Sequence, residues 1–361
     1  MKVMTIAGTR PDLIKLSEII KKLDAYTDHT FVHTGQNYDK NLHDVFFDDL
    51  GLRRPDYTLG VGGGTLGQTL GKLMEQTENV LEEVKPDAVV ILGDTNSSLS
   101  GIIVKRRKIP LFHLEAGNRC FDDNVPEEVN RRILDHISDV NLVFSENSRR
   151  YLLSEGRPKD RTFLMGSPMR EVLDAQAGGI KKSKVLKRLG LKKYYLFSIH
   201  RDENTEIQEN FVKILASVNL LADVTNSTIV MPLHPRTAKK LEGVELHPNV
   251  MFTEPFGFTD YIKLQQNATC VISDSGTLAE ESAILGFPAV TVRNAIERPE
   301  AIDHGSMIFT QPDAQSIVEA VSMARKPTSC PEEYKIDNCS DRVVKIIKGY
   351  TDYVNRYVYI R

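Results

Sequence analysis

The chain has 361 residues, 41 % of them apolar and 26 % charged, and its 46 basic and 49 acidic side chains leave a formal net charge of −3. This length suits two domains of ordinary size, and the composition excludes disorder throughout. The even balance also excludes the global basic field that attracts duplex nucleic acid or an anionic membrane, while a local basic cluster for a small anion stays open. The four cysteines, Cys120, Cys270, Cys330 and Cys339, form no CxxC pair and are too sparse for a disulfide scaffold, so zinc-ribbon and thioredoxin-like sites are set aside. The opening MKVMTIAGTR turns polar too early for a signal peptide, and no apolar run reaches the roughly 20 residues of a membrane span, so the expected compartment is the cytoplasm.

In chain order, Val3–Ala7 reads as a buried strand and Gly8-Thr9-Arg10-Pro11 as a turn. Leu13, Ile14, Leu16, Ile19, Ile20 and Leu23 then recur at helical spacing. Thr30–His33 is a second strand, and Ala88–Leu92 is a fully apolar one that ends at Gly93-Asp94-Thr95. A helix through Ile102, Ile103 and Val104 leads to the strands Pro110–Leu114 and Val140–Phe144. After about residue 170 the pattern restarts: a strand Tyr194–Ile199, a helix Phe211–Leu221, then strands Thr228–Leu233, Val250–Thr253, Cys270–Ser273, Pro288–Val292 and Met307–Phe309. Asp174–Lys184, rich in small and basic residues, reads as a linker. Such alternation predicts two doubly wound α/β domains with parallel sheets covered on both faces. The expected spans are 1–170, carrying the acid/base carboxylates, 171–342, binding the nucleotide, and a terminal helix at 343–361 returning to the first domain.

Ligands of open parallel sheets bind beyond the carboxyl ends of the strands. There the first strand delivers Arg10, with Lys15 one helical turn on, and no GxGxxG fingerprint, which disfavours a nicotinamide enzyme. Asp94 and Glu115 follow two strands expected to be neighbours, and Glu127, Glu128 and Arg131 open the next helix. One of Glu127 and Glu128 is accounted for as a first-turn acid favoured by the helix dipole. No histidine pair at ligand spacing accompanies these carboxylates, so a metal site is disfavoured. In the second half His200 and His234 directly follow strands, Ser275 and Gly276 stand at a helix start suited to an anion, Glu281 is placed for a ribose, and Arg298 adds a cation. Carboxylates in one half and phosphate donors in the other suit a nucleotide-sugar.

The stretches GTRPDLIK (8–15), GDTNSS (93–98), HLEAGNR (113–119), PEEVNRR (126–132), HRDEN (200–204), DSGTLAEE (274–281) and ERPEA (297–301) together resemble the non-hydrolysing UDP-N-acetylglucosamine 2-epimerase family over nearly the whole chain. That resemblance implies a GT-B fold, two such domains with the substrate between them, usually a homodimer, and no metal or redox cofactor. It implies a UDP-N-acetylhexosamine substrate whose C2 is inverted by elimination and re-addition of UDP. Asp94, Glu115 and Glu127 would share the acid and base roles, unassigned among them. His200, Arg10 and Arg298 would stabilise the departing diphosphate, Tyr261 would stack on uracil, and Ser275, Gly276 and Glu281 would hold phosphate and ribose; Lys15, Arg131 and His234 complete the expected substrate contacts.

HTGQNYD, FFDDLGL and EAGNRCFDDNVPEE look closer to the branch that converts UDP-2-acetamido-2,6-dideoxy-L-talose to UDP-N-acetyl-L-fucosamine for surface polysaccharide. Gln36-Asn37-Tyr38-Asp39 replaces the Gln-His-Arg of the branch that binds a second, allosteric UDP-GlcNAc, and Asp202 and Thr277 replace an arginine and a glycine of the family pattern. The reading therefore expects no activation by UDP-GlcNAc. UDP-N-acetylglucosamine 2-epimerisation is the alternative. Rival classes are a GT-B glycosyltransferase, a hydrolysing epimerase and a silent nucleotide-sugar sensor.

Overall fold

Apolar runs set two sheets in a computed structural model that describes residues 1–35, 47–233, 235–241 and 244–361. Lys2–Ala7 (β1), Asp28–His33 (β2), Tyr57–Thr58 (β3), Ala88–Leu92 (β4), Leu111–Leu114 (β5), Val140–Val143 (β6) and Thr162–Leu164 (β7) pair in the order β3-β2-β1-β4-β5-β6-β7. Tyr194–Ser198 (β8), Thr228–Pro232 (β9), Val250–Thr253 (β10), Val271–Ser273 (β11), Ala289–Val292 (β12) and Ile308–Thr310 (β13) pair in the order β10-β9-β8-β11-β12-β13. The ladders on both sides of β1 and of β8 are parallel. The chain divides into one unit of Met1–Ala175 with Glu332–Arg361 and a second of Gln176–Pro331.

Burial on both faces explains why these strands read as unbroken apolar runs. Along β8, Tyr195 and Phe197 join one core with Ile229, Met231, Ile272 and Val290. Tyr194 and Leu196, pointing the other way at period two, join another with Val230, Val271 and Ala289. Each such side chain contributes about 1.5–3 kcal/mol on full burial. In the first unit Met4, Ile6, Val89, Ile91, Leu111 and Leu134 share a core.

Both sheets reverse their winding at one place: between β1 and β4, and between β8 and β11. Such switch points open a crevice at the carboxyl ends of the strands. The first is tightly drawn. A Cβ on Gly8 would fall 1.9 Å from Ser97 Oγ and 2.6 Å from Thr34 Oγ1, so only glycine lets the chain leave β1 here. The Arg10–Tyr26 helix follows, with Pro11 in its first turn and Leu13, Leu16, Ile19, Ile20 and Leu23 buried.

Two expectations are corrected. Asp174–Lys184 is not a linker: the Met169–Lys182 helix runs through most of it, and the unit boundary at 175/176 falls inside that helix. Val172, Leu173 and Ile180 are buried and offset the cost of Gly178 and Gly179, about 1 kcal/mol each in a helix interior. A Cβ on Gly179 would lie 3.0 Å from Thr259 Cγ2, so glycine also permits a close approach to the Phe258–Asn267 helix. The junctions expected at 170/171 and 342/343 fall at 175/176 and 331/332. Residues well before 343 already bind the first unit: Ser167 N donates to Glu333 O at 3.1 Å, Glu146 N to Glu333 Oε1 at 3.2 Å, and Ser340 N to Glu171 Oε2 at 3.0 Å. The Cys339–Tyr357 helix adds Tyr350, edge-on to Phe163 with centroids 4.7 Å apart. Among the described residues no helix is long and apolar enough to cross a membrane.

Candidate active site

The register of the first sheet brings two carboxylates to one edge. Leu92 pairs with Leu114, so Asp94 and Glu115 leave neighbouring parallel strands two residues and one residue beyond that pair. Asp94 is gripped by Arg131, whose Nε and Nη2 donate at 3.0 and 2.8 Å, and Asn130 Nδ2 donates to the Asp94 carbonyl at 3.0 Å. Glu115 is buried and accepts from Lys15 Nζ at 2.5 Å and from Asn118 Nδ2 at 3.3 Å. Its φ is +65°. A left-handed glutamate costs on the order of 1–3 kcal/mol, and such strain gathers where side-chain direction matters for function.

Glu127 and Glu128 separate cleanly. Glu128 is wholly buried, accepts from the N–H groups of Cys120 and Phe121 at 3.1 and 3.3 Å, and pairs with Arg131 and Arg132 at 2.8 and 2.9 Å. Burial pushes its carboxyl up, but Cys120 N–H and the two arginines together hold it below the usual carboxylate range. Glu128 is therefore the acid that fixes the loop after β5. Glu127 is half-buried at the start of the Pro126–Ile137 helix. Arg131 spans Asp94 and Glu128, which makes it the bracket of the Asp94 carboxylate. Arg10 is half-buried at the first position of its helix, and Lys15 lies buried one turn later.

In the second unit Ser198 pairs with Ser273, so His200 and Asp274 emerge side by side at the switch point. His200 Nδ1 lies 2.9 Å from Asp274 Oδ1, and the ring remains 58 % exposed, which leaves its other edge open. Asp274 also accepts from His200 N at 3.1 Å, Arg201 N at 3.0 Å and Asn204 Nδ2 at 3.0 Å. Burial drives this carboxyl up, but His200, Asn204 and the Arg201 N–H prevail and hold it at about 2. The Leu278–Leu285 helix presents half-buried Ser275 and Gly276 just before its start. Arg298 is buried, bonds the Gly276 carbonyl and pairs with Glu280 at 3.0 Å, so it fixes this turn from behind. Glu281 accepts from Gln265 Nε2 at 2.6 Å, and burial pushes its carboxyl up. Tyr261 packs against the core that holds Tyr194, Leu196 and Val271, and burial pushes its phenol well above its usual range.

His234 and Gln36–Asp39 lie outside the described residues. Among the described residues no group of three or more His, Cys, Asp and Glu side chains is placed to hold a metal. Asp12 and Asp274 were not singled out from the sequence, and Glu128 was left level with Glu127. For Asp12 a signal existed: three residues after Thr9, it takes part in a capping box and accepts from Gly8 N and Thr9 N, both at 3.0 Å. For Asp274 the partners His200, Arg201 and Asn204 come from a distant segment, whereas Glu128 is held by Cys120 and Phe121 on the preceding loop and by Arg131 and Arg132 on its own helix.

A family model described as UDP-N-acetylglucosamine 2-epimerase matches residues 21–348. A solved structure of a UDP-N-acetylglucosamine 2-epimerase from Rickettsia bellii is 45 % identical, with a TM-score of 0.93 and both chains fully covered. The Methanocaldococcus jannaschii UDP-GlcNAc 2-epimerase, solved in complex with UDP-GlcNAc and UDP, is 32 % identical with a TM-score of 0.89, covering 97 % of this chain and all of that one. The Pseudomonas aeruginosa UDP-2,3-diacetamido-2,3-dideoxy-D-glucuronate 2-epimerase is 32 % identical over 328 residues, 89 % of this chain and 91 % of its own. The two parallel-sheet units are those of a GT-B fold, as expected.

Proposed function

Because the chain belongs to the UDP-N-acetylglucosamine 2-epimerase family, and so to the isomerases, we propose that it inverts C2 of a UDP-N-acetylhexosamine without net hydrolysis. The observation that carries this is the set of three carboxylates in the first unit, each in a different setting. Asp94 lies against Arg131, Glu115 against Lys15 under backbone strain, and Glu127 at a half-buried helix start. Acid and base work on opposite faces of one carbon calls for carboxyl groups whose environments differ.

The C2 proton is not acidic until the C1–O bond to UDP breaks and C1 gains positive charge. One carboxylate takes that proton as UDP leaves, giving a 2-acetamidoglycal. UDP then adds back to C1, and a carboxylic acid returns a proton to C2 from the other face. His200, held by Asp274, directs its free edge at the departing diphosphate, and the N–H groups near Ser275 and Gly276 supply fixed donors. Tyr261 carries the uracil and Glu281 the ribose. The enzyme acts as a homodimer in the cytoplasm and serves polysaccharide synthesis.

For the sugar, the wording of the HTGQNYD and EAGNRCFDDNVPEE stretches supports UDP-2-acetamido-2,6-dideoxy-L-talose, with UDP-N-acetyl-L-fucosamine as product. Similarity to the UDP-N-acetylglucosamine 2-epimerases of Rickettsia bellii and Methanocaldococcus jannaschii supports UDP-GlcNAc as a second reading. NMR of each UDP-sugar incubated in deuterated water without an acceptor tests both. The expected product is the C2 epimer carrying deuterium at C2, with no free sugar. Retention of the original hydrogen would rule out the elimination route, and turnover of UDP-GlcNAc alone would select the second reading.

A further inference from the structure

We propose that Asp135 is a positioning residue that sets both Asp94 and Glu115 through one buried hydrogen-bonded clamp; this rests on the acid/base reading of those two carboxylates. Asp135 lies near the end of the Pro126–Ile137 helix, wholly buried beneath the loop that follows β5. Its Oδ1 accepts from His113 Nδ1 at 2.8 Å and from Gly117 N at 3.1 Å. Its Oδ2 accepts from Arg119 Nη1 at 2.6 Å. His113 and Gly117 flank Glu115 two residues to either side, so one carboxylate pins both ends of the strained turn that aims the Glu115 side chain.

The clamp also reaches the neighbouring strand. His113 Nε2 lies 2.9 Å from the Gly93 carbonyl, so the wholly buried ring bridges the Asp135 carboxylate and that carbonyl. Gly93 precedes Asp94 and takes a left-handed φ of +77°, a conformation that needs glycine. Asp135, His113 and Gly93 thus couple the turns that present Asp94 and Glu115. Gly117 admits no side chain, because a Cβ there would meet the Ser148 carbonyl at 2.4 Å. From the far side Arg119 is held by Glu155, whose carboxylate accepts from Arg119 Nε at 2.8 Å and Nη2 at 2.6 Å. The charged and polar side chains packed on Asp135 therefore hold it in place.

A misplacement of about 1 Å in a catalytic group can cost on the order of 10²-fold in rate. Asp135→Asn keeps the shape but places an amide where a carboxylate oxygen receives either Arg119 or the His113–Gly117 pair. The expected result is a fall in kcat of roughly 10–100-fold with KM nearly unchanged, and a displaced pH profile of kcat. His113→Asn and His113→Gln divide the clamp. Asn places its amide nitrogen near Nδ1 and keeps the Asp135 bond; Gln places it near Nε2 and keeps the Gly93 bond. Each is expected to lower kcat, and if Asp135→Asn does not fold, these two decide the matter. Ile133→Ala, on the same helix but 37 % exposed, is the control and should leave the kinetics unchanged. Glu115→Gln, run in parallel, separates the two levels: full activity there overturns the acid/base reading itself. Lost activity in Glu115→Gln beside wild-type kcat and pH profile in the folded clamp variants overturns only the positioning role.

Discussion

Asp12 in the first unit and Asp274 in the second stand in comparable places. Each is buried at the switch point of its sheet, and each accepts hydrogen bonds from two consecutive backbone N–H groups beyond the leading strand: Gly8 and Thr9 in one, His200 and Arg201 in the other. Yet burial pushes Asp12 up to about 6, whereas at Asp274 the partners outweigh burial and the carboxyl falls to about 2. The difference lies in the direct contacts. His200 and Asn204 touch Asp274 with their side chains, while Lys15, the cation nearest to Asp12 in effect, is committed to Glu115. Neutral donors from Gly8 and Thr9 do not offset the desolvation of the Asp12 carboxylate; an adjoining imidazole and amide do so at Asp274. The second unit thereby keeps a permanent anion behind its histidine, and the first keeps a carboxyl that titrates near neutrality.

The largest expected effect comes from breaking the better-compensated member. Asp274→Asn should lower kcat by roughly 10²–10⁴-fold, because His200 loses the anion that fixes its ring. Steady-state rates on the preferred UDP-sugar check this, and an unimpaired variant would show that His200 needs no holding. Next comes Asp12, whose folded pKa stands above its ordinary value of 3.8. Its contribution is therefore complete below about pH 4 and lost as pH rises through 6. Asp12→Asn should gain on the parent by up to about 3 kcal/mol between pH 4 and pH 7, read as the difference in urea unfolding. A constant difference across that range would refute the raised pKa.

The acid limb is the mirror case. Asp274 stands below 3.8, so its contribution of about 2 kcal/mol is present above pH 4 and disappears as pH falls towards 2. Acid unfolding of the parent should lose that increment, and Asp274→Asn should not. Two glycines sharpen the contrast on steric grounds. Gly8→Ala should cost about 1–3 kcal/mol, since its Cβ has no room against Ser97. Gly276→Ala should cost less in thermal unfolding, because the nearest atom, Glu297 Oε1, is 3.2 Å away. If the first substitution proves the milder, the tight exit from β1 is not a constraint.

What the sequence disclosed follows from range. Strands buried on both faces, such as Ala88–Leu92 and Tyr194–Ser198, announce themselves as apolar runs, and the strand-end motifs then fall into place. Tyr57–Thr58 and Thr162–Leu164 are too short to carry such a signal. The Met169–Lys182 helix was hidden by Gly178 and Gly179, which tertiary packing tolerates. The strand-end positions of Asp94, Glu115 and His200 were readable from the apolar runs that precede them. Glu127 and Glu128 were not separable, because the burial of Glu128 depends on Cys120 and Phe121 folding back onto it. Asp135 and Asp274 escaped for the same reason: their partners lie 16 to 74 residues away.

The first unit is discontinuous in the chain, and that orders its manufacture. A ribosome synthesises Gln176–Pro331 before Glu332–Arg361. The first unit can therefore close only after the second has been made in full, because until then it lacks its last helix, along with the Glu333 contacts to Ser167 and Glu146 and the Ser340 contact to Glu171. Domains fold as units during synthesis, usually the earlier one first. Here the nascent chain must hold the carboxylate-bearing half unfinished, with its docking surface bare, until Glu332–Arg361 has been made. A stop codon near residue 338 would leave the second unit whole and the first without its closing segment.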